Sequence, residues 1–261
     1  MQRRDVLQML ALAATAGLAT TEGRAHVQFD PKAPKPTFVM LAYPKMILLD
    51  FVPALTAFAL TMGDVQIVWK DRAPVTTDVG VAISPTTTFA EAHAAPDVVF
   101  VPGGLRGTVA CMQDPEVIAF LQRVGPAARY VTSVCTGSLL LAAAGLLEGY
   151  RATGHWHSRH ALAQLGAILA DGRVVQDRNR ITGGGVTAGL DFGLIVSSLI
   201  RGEDWAKATQ LILEYAPAPP FQAGTPAGAG PEITAQVSDL LNPELGPLNQ
   251  AVAAARTRLR L

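Results

Sequence analysis

An α/β fold, with a mostly parallel sheet between helical layers and a nucleophile elbow at its centre, is predicted by three features of the 261-residue chain. Short apolar runs rich in β-branched residues recur at 37–42 (TFVMLA), 65–69 (VQIVW), 97–101 (DVVFV) and 129–134 (RYVTSV), the pattern of strands buried on both faces. Helical patterns at 52–62, 114–124, 136–147, 187–201 and 204–214 lie between and after them, and such alternation lays helices on both faces of a sheet. The last apolar run leads without a break into Cys135-Thr136-Gly137-Ser138 and then LLLAAAGLLEG, a strong helix former with a glycine stop.

Composition narrows the function. Hydrophobic residues make up 49% of the chain and charged residues 16%, so it lies far from the disordered class. Lys plus Arg (21) equals Asp plus Glu (21), which argues against a nucleic-acid surface and for a small, neutral substrate. Two cysteines exclude both a disulfide-built scaffold and a four-thiolate zinc site.

Taken in order, the N-terminus reads as an export signal. The pair Arg3-Arg4 precedes the apolar stretch LALAATAGLA, and Gly23-Arg24-Ala25 offers a cut after Ala25, so residues 1–25 predict twin-arginine export to the periplasm. The alternatives are an N-terminal anchor helix or a misassigned start, and a cytoplasmic protein, but this stretch falls short of the ~20 residues that span a bilayer, and no membrane span is expected in the mature chain. Taking Arg3, Arg4, Arg24, Asp5 and Glu22 away leaves 18 basic and 19 acidic residues, so neutrality holds. Residues 36–215 carry the α/β domain. Residues 216–231 (APAPPFQAGTPAGAGP) read as an extended Pro/Gly-rich segment of a wrapping arm, anchored by Tyr215 and Phe221, and a helical tail follows to 261, ending in Arg256, Arg258 and Arg260.

Open sheets work at the carboxyl ends of their strands, and three such ends stand out. Cys135 occupies the strand-to-helix elbow, facing the unpaired N–H groups of the next helix, where a thiolate is favoured; a buried structural cysteine fits the same position. Gly103 and Gly104 end another strand; they read either as an ordinary turn or, with the Thr136 amide, as a donor pocket beside the sulfur. Asp50 ends the run MILLD and opens a helix with Pro53 in its first turn. That makes it a helix N-cap or, set beside the thiol, a general acid or base with a raised pKa.

Other residues carry less. His155 and Trp156 can line a pocket, whereas His157 and His160 read as surface positions. Their gaps of two and five residues from His155 do not suit a metal, and none is expected. Gly183-Gly184-Gly185 reads as a structural turn, Asp191 as a hydrogen-bonded structural carboxylate, and Cys111 as a small hydrophobe. A Cys111–Cys135 disulfide, the alternative in an oxidising compartment, would abolish nucleophilic function.

The blocks DVVFVPGG at 97–104, ARYVTSVCTGSLLLAAAGLL at 128–147, ATGHW at 152–156, ITGGGVTAGLDF at 181–192 and LEYAPAPPFQAG at 213–224 resemble the ThiJ/PfpI superfamily of class I amidotransferase-like proteins, within it the isonitrile hydratase branch. The resemblance runs from about Phe38 to Pro226. It implies a flavodoxin-like three-layer sandwich, a homodimer, and a cofactor-free hydration of an isonitrile to an N-substituted formamide. It further implies Cys135 as nucleophile, with Thr136 after it and Asp50 as the active-site aspartate. Two departures stand out. Hydratase relatives read D-L-T-G-P where this chain has Asp50-Phe51-Val52-Pro53-Ala54, which changes the pocket wall, and the histidine that usually follows the cysteine in the superfamily is Thr136 here. The competing readings are another cysteine hydrolase of the superfamily, acting on an amide or aldehyde, and a redox-sensing non-enzyme. The ligand-sensing half of AraC-type regulators also looks similar, through its ATxHW and GGGxTAGxD blocks.

Overall fold

Strands apolar on both faces must lie between two layers, and the runs that meet this condition form the middle of the sheet. In the computed structural model, which describes residues 34–261, the first half of the chain runs β1 (Thr37–Leu41), α1 (Leu48–Leu60), β2 (Asp64–Trp69), β3 (Val75–Thr76), β4 (Ala82–Ile83), β5 (Thr87–Thr88), β6 (Val98–Val101), α2 (Leu105–Gln113), α3 (Pro115–Val124) and β7 (Tyr130–Val134). It continues through α4 (Gly137–Ala143), β8 (Arg151–Ala152), α5 (Ala161–Gln164), β9 (Ile168–Leu169), β10 (Val174–Asp177), β11 (Arg180–Gly183), α6 (Ala188–Arg201), α7 (Glu203–Ile212), α8 (Pro226–Leu241), a 3-10 turn at Asn242–Glu244 and α9 (Leu245–Leu259). The export signal expected over residues 1–25 lies outside the described residues. Among the described residues no helix is long and apolar enough to cross a membrane.

The main sheet has the order β10-β11-β7-β6-β1-β2-β5, parallel throughout except for the β10–β11 hairpin. Register sets Met40 beside Phe100, Phe100 beside Thr132 and Thr132 beside Ile181. β1, β6 and β7 are therefore neighbours, and their carboxyl-terminal turns open side by side. Those turns lead to Asp50, Gly103 and Cys135.

Helices cover the sheet in two groups: α1 packs with α6 and α6 with α7, while α2, α4, α5 and α9 pack together. Under the first group Phe58 stacks on Phe38 at 4.6 Å and meets Phe100 and Phe192 edge-on at 5.8 and 6.2 Å, arrangements that suit the ring quadrupole. In the second group Leu248, Ala251, Val252 and Ala255 of α9 are fully buried in the main core with Val109, Met112 and Leu140, so the tail helix belongs to the domain it follows.

Three expectations need correction. The segment read as extended through 231 turns helical at Pro226, because Thr225 caps the helix by accepting from Gly228 N at 3.1 Å and Pro226 supplies a preset φ at N1; Gly230, with a non-helical φ of 80° and ψ of 167°, separates this first turn from the longer helical run that follows it to Leu241. Phe221 anchors nothing: it is 78% exposed. Tyr215 does hold the start of the arm, its hydroxyl donating to Asp191 at 2.9 Å. His157 is buried rather than on the surface, because its loop runs beneath the C-terminal segment and its Nε2 meets Asn242 Oδ1 at 3.1 Å. His160 is exposed.

Candidate active site

Cys135 sits where β7 must turn into α4, and its φ of +56° is the left-handed conformation that such an elbow demands and a non-glycine residue adopts at a cost. The elbow is held by its backbone, Cys135 N donating to Gly184 O at 2.7 Å and Gly183 O at 3.1 Å. The triple glycine is thus the structural turn expected of it, and it carries the strain at the cysteine. Gly137 must lack a side chain, since a Cβ there would lie 2.2 Å from Val101 O.

Asp50 comes to the thiol from beyond the end of β1, with β6 and its glycine turn lying between β1 and β7. It is not the N-cap. α1 begins two residues earlier, at Leu48, with Ile47 in the capping position and no side-chain cap bond, and Pro53 lies inside the helix. Asp50 is fully buried, and its Oδ2 accepts from Gly103 N at 2.8 Å. Its Oδ1 has no hydrogen bond of standard geometry and is free to act on the Cys135 thiol beside it. Burial lifts this carboxyl from 3.8 to about 7, against the opposing pull of the Gly103 N–H and the Cys135 side chain; Asp78 adds a smaller upward push.

The glycines play a different part from the donor pocket considered above. Gly103 N is committed to Asp50 and Gly104 N to Thr136 Oγ1 at 2.9 Å, so both amides hold the side chains beside the thiol instead of facing a ligand. Thr136 Oγ1 pairs with Thr108 Oγ1 at 2.8 Å, Thr108 Oγ1 with the Tyr43 hydroxyl at 3.0 Å, and that hydroxyl donates to Pro102 O at 2.6 Å. Each hydroxyl in this buried chain therefore donates toward Pro102, and the Thr136 rotamer is fixed.

The thiolate expected from the helix terminus is the largest electrostatic correction. Cys135 is 2% exposed; burial first, and then the Asp50 charge, push its thiol well above the ordinary range, while the Thr136 N–H pulls the other way without prevailing. α4 has only seven residues, too short a run of aligned peptides to offset desolvation. When the pair holds one proton, that proton rests on sulfur. Cys111, as expected, is a buried small hydrophobe, and burial pushes its thiol up to about 12. Both cysteines are free thiols.

His155 and Trp156 are half-buried on the loop that follows Gly154. A Cβ on Gly154 would meet Cys135 O at 2.9 Å, and one on Gly185 would meet His155 Cδ2 at 3.6 Å, so this loop lies against the elbow. Burial and the nearby His157 lower the His155 pKa, leaving a neutral ring at pH 7. The side chains that act on the Cys135 thiol are Asp50 and Thr136. Asp191 is the structural carboxylate it was read as, paired with Arg173 and Tyr215. Sequence reasoning missed Tyr43 and Thr108. The only signal for Tyr43 was a polar residue at the end of an apolar run, and Thr108, inside LRGTVACMQ, had none.

Gly103 packs directly between the acid and the thiol, because a Cβ there would lie 2.5 Å from Asp50 Oδ2 and 2.6 Å from Cys135 Cβ. Gly103→Ala should cost about 1–3 kcal/mol of stability and separate the acid from the thiol. The check is thermal unfolding, together with the rate of Cys135 alkylation; an unchanged melting temperature would contradict this packing.

Residues 37–199 match the DJ-1/PfpI family. An isonitrile hydratase from Pseudomonas putida is 44% identical over 223 residues, 85% of this chain and 96% of that protein. The crystal structure of a ThiJ/PfpI family protein from Pseudomonas syringae superposes with a TM-score of 0.84 at 43% identity, covering 90% of this chain and 97% of the other. An HTH-type transcriptional regulator of Pseudomonas aeruginosa is 32% identical over 158 residues, 60% of this chain and 40% of its own. With the family match spanning β1 to α6 and the whole fold superposing on that of the Pseudomonas syringae protein, the chain belongs to the DJ-1/PfpI family.

Proposed function

We propose that this protein is an isonitrile hydratase-like hydro-lyase that converts a small neutral isonitrile to its N-substituted formamide through a covalent thioimidate on Cys135. The observation that carries the reading is the buried pair of Asp50 and Cys135, a carboxyl poised near neutrality beside a thiol on which Asp50 and Thr136, and no histidine among the described residues, act. Similarity to the Pseudomonas putida isonitrile hydratase supports the same reaction. A Cys-His hydrolase needs an imidazole to take the thiol proton, and here the carboxylate holds that position.

An isonitrile carbon accepts a soft nucleophile and gains carbanion character as it does so. As the Cys135 sulfur approaches that carbon, Asp50 takes the S–H proton and passes it to the same carbon. The S–C and C–H bonds form, and the triple bond becomes the C=N of a thioimidate. Asp50, ionised again, draws a proton from water while the water oxygen adds to the carbon, and the nitrogen receives that proton. The C–S bond then breaks with its electron pair returning to sulfur, and the hydroxyl proton returns through Asp50 to the thiol. The sum is isonitrile plus water to formamide, with no electron donor or acceptor required. Thr136 keeps the thiol oriented through its amide and its fixed hydroxyl. The test is mass spectrometry of the protein incubated with cyclohexyl isocyanide: formamide from the wild type and none from Cys135→Ser supports the reading, whereas no product from either overturns it.

The working unit is proposed to be a homodimer. α8 buries none of its side chains, yet Ile233, Val237 and Leu240 fall on one stripe, with Leu240 77% exposed, a pattern that seeks a partner. Light scattering is expected to give twice the chain mass for the wild type and a lower association for Ile233→Lys with Leu240→Lys; a monomeric wild type would exclude the dimer.

A further inference from the structure

The helix that carries Asp50 begins without a cap of its own, and the missing group comes from elsewhere. Asp78 lies on the β3–β4 hairpin, thirty residues further along the chain. Its Oδ1 accepts from Leu48 N, the first N–H of α1, at 2.9 Å. The hairpin presents it rigidly: Gly80 N donates to Thr77 O at 3.2 Å, Thr77 N donates to Val81 O at 3.0 Å, and Gly80 takes the positive φ of +83° that closes such a turn.

The same hairpin grips the preceding turn. Tyr43-Pro44-Lys45-Met46 is closed by Met46 N donating to Tyr43 O at 3.1 Å, with Lys45 at φ +65°, a left-handed position that glycine would fill at less cost. Lys45 N donates to Thr76 O at 2.9 Å and Asp78 N to Met46 O at 3.0 Å. On its other side the turn is bonded to the glycine loop, Ile47 N donating to Gly103 O at 2.9 Å. The strained turn is therefore clamped between the hairpin and the loop that holds Asp50.

We infer that Asp78 is a positioning residue for the active site: it caps α1 from the β3–β4 hairpin, fixing the first turn from which Asp50 reaches Gly103 N and the Cys135 thiol. Its carboxylate also acts on Asp50 through space, raising the Asp50 pKa. The titratable groups around Asp50 are the Cys135 thiol from the elbow, the Tyr43 phenol from the β1–α1 turn and Asp78 from the hairpin; α6 faces it with Gly189. Removing a negative charge lowers the pKa of a neighbouring carboxyl, and because Asp78 is exposed the effect weakens with salt.

The inference rests on the hydration reading only for its kinetic readout, so the test has a second arm that needs no turnover. Full-length Asp78→Asn and Asp78→Ala are compared with wild type by carboxyl-labelled aspartate NMR, the Asp50 signal being assigned from its loss in Asp50→Asn, and by hydrogen exchange at Leu48 N. Both variants should move the Asp50 midpoint down by about half a pH unit at low salt. Asparagine still caps, so Asp78→Asn should keep the Leu48 amide protected and hold kcat/KM within about threefold, whereas Asp78→Ala should lose the protection and about tenfold in kcat/KM. An unmoved Asp50 midpoint in both variants, or equal Leu48 exchange in Asp78→Ala and wild type, overturns the inference. Should Asp78→Ala not fold, the midpoint and Leu48 protection of Asp78→Asn decide it. Absent turnover in wild type with both NMR effects present would sink the hydration reading and leave this one standing.

Discussion

Cys135→Ala should abolish formamide production from a simple isonitrile, while leaving the fold and its stability close to wild type. Alanine accepts the φ of +56° no worse than cysteine does, it keeps the amide that donates to Gly183 O and Gly184 O, and it removes one sulfur from a wall already packed by backbone. The lost activity has no second source, because the proposed chemistry passes through a bond to that sulfur. Cys111 cannot substitute: it is buried on α2, and its thiol is pushed up to about 12. Cys135→Ser restores the shape but offers a hydroxyl far less acidic than a thiol, so it too should be inactive. Intact-mass measurement of wild type quenched during turnover should show the protein plus one isonitrile. Residual turnover in Cys135→Ala, or no mass adduct under any quench, would replace the covalent route with direct attack by water activated at Asp50.

What could be read from the sequence followed the strength of each local signal. β1, β6 and β7 lie within one residue of the runs at 37–42, 97–101 and 129–134, because a strand buried on both faces leaves an unbroken apolar run. The elbow at Cys135 was equally legible, since a strand and a helix meet there with no loop between them. α2 was not. LRGTVACMQ carries a glycine and an arginine, and it becomes helical by packing on α4 and α9, a tertiary cause that no local pattern records. β10 and β11 were missed for a related reason: VVQD and RITG are four residues each, too short to display a period.

The site was half legible. Residue types and strand ends located Cys135, Thr136, Asp50 and the glycine pair, but not how their bonds are distributed. That Gly103 N serves Asp50 and Gly104 N serves Thr136 depends on angles set by β6. The protonation of the pair depends on desolvation, and burial is a property of the whole fold, whereas a helix terminus shows in the sequence. The departure at Val52-Pro53-Ala54 takes a concrete form: Pro53 packs against Gly189 with an approach of 3.6 Å to the Cβ that glycine lacks, and Val52 is exposed.

Asp50→Asn is expected to lower kcat by about 10²–10⁴-fold and, above pH 7, to make the protein more stable relative to wild type. Both effects follow from one buried carboxyl. In the unfolded chain it titrates near 3.8, and in the folded protein at about 7, so between those values the native state binds the extra proton and wild-type stability falls as pH rises. The loss is absent below about pH 4 and complete above about pH 7, where it amounts to at most about 4 kcal/mol. An asparagine has no proton to lose and keeps an oxygen for Gly103 N, so the melting temperature of Asp50→Asn minus that of wild type should widen from pH 4 to pH 8. A gap that stays flat would mean that Asp50 is solvated and ionised throughout. Wild-type kcat/KM should rise through the same pH near 7, because the pair must hold one proton, on sulfur, with Asp50 free to accept it; with two protons the carboxyl cannot receive the thiol's. A carboxylate confined with no cation acting on it among the described residues, beside a thiol that it also keeps protonated, weakens the fold where it serves the reaction, and that is the trade expected of a catalytic acid rather than of a structural one.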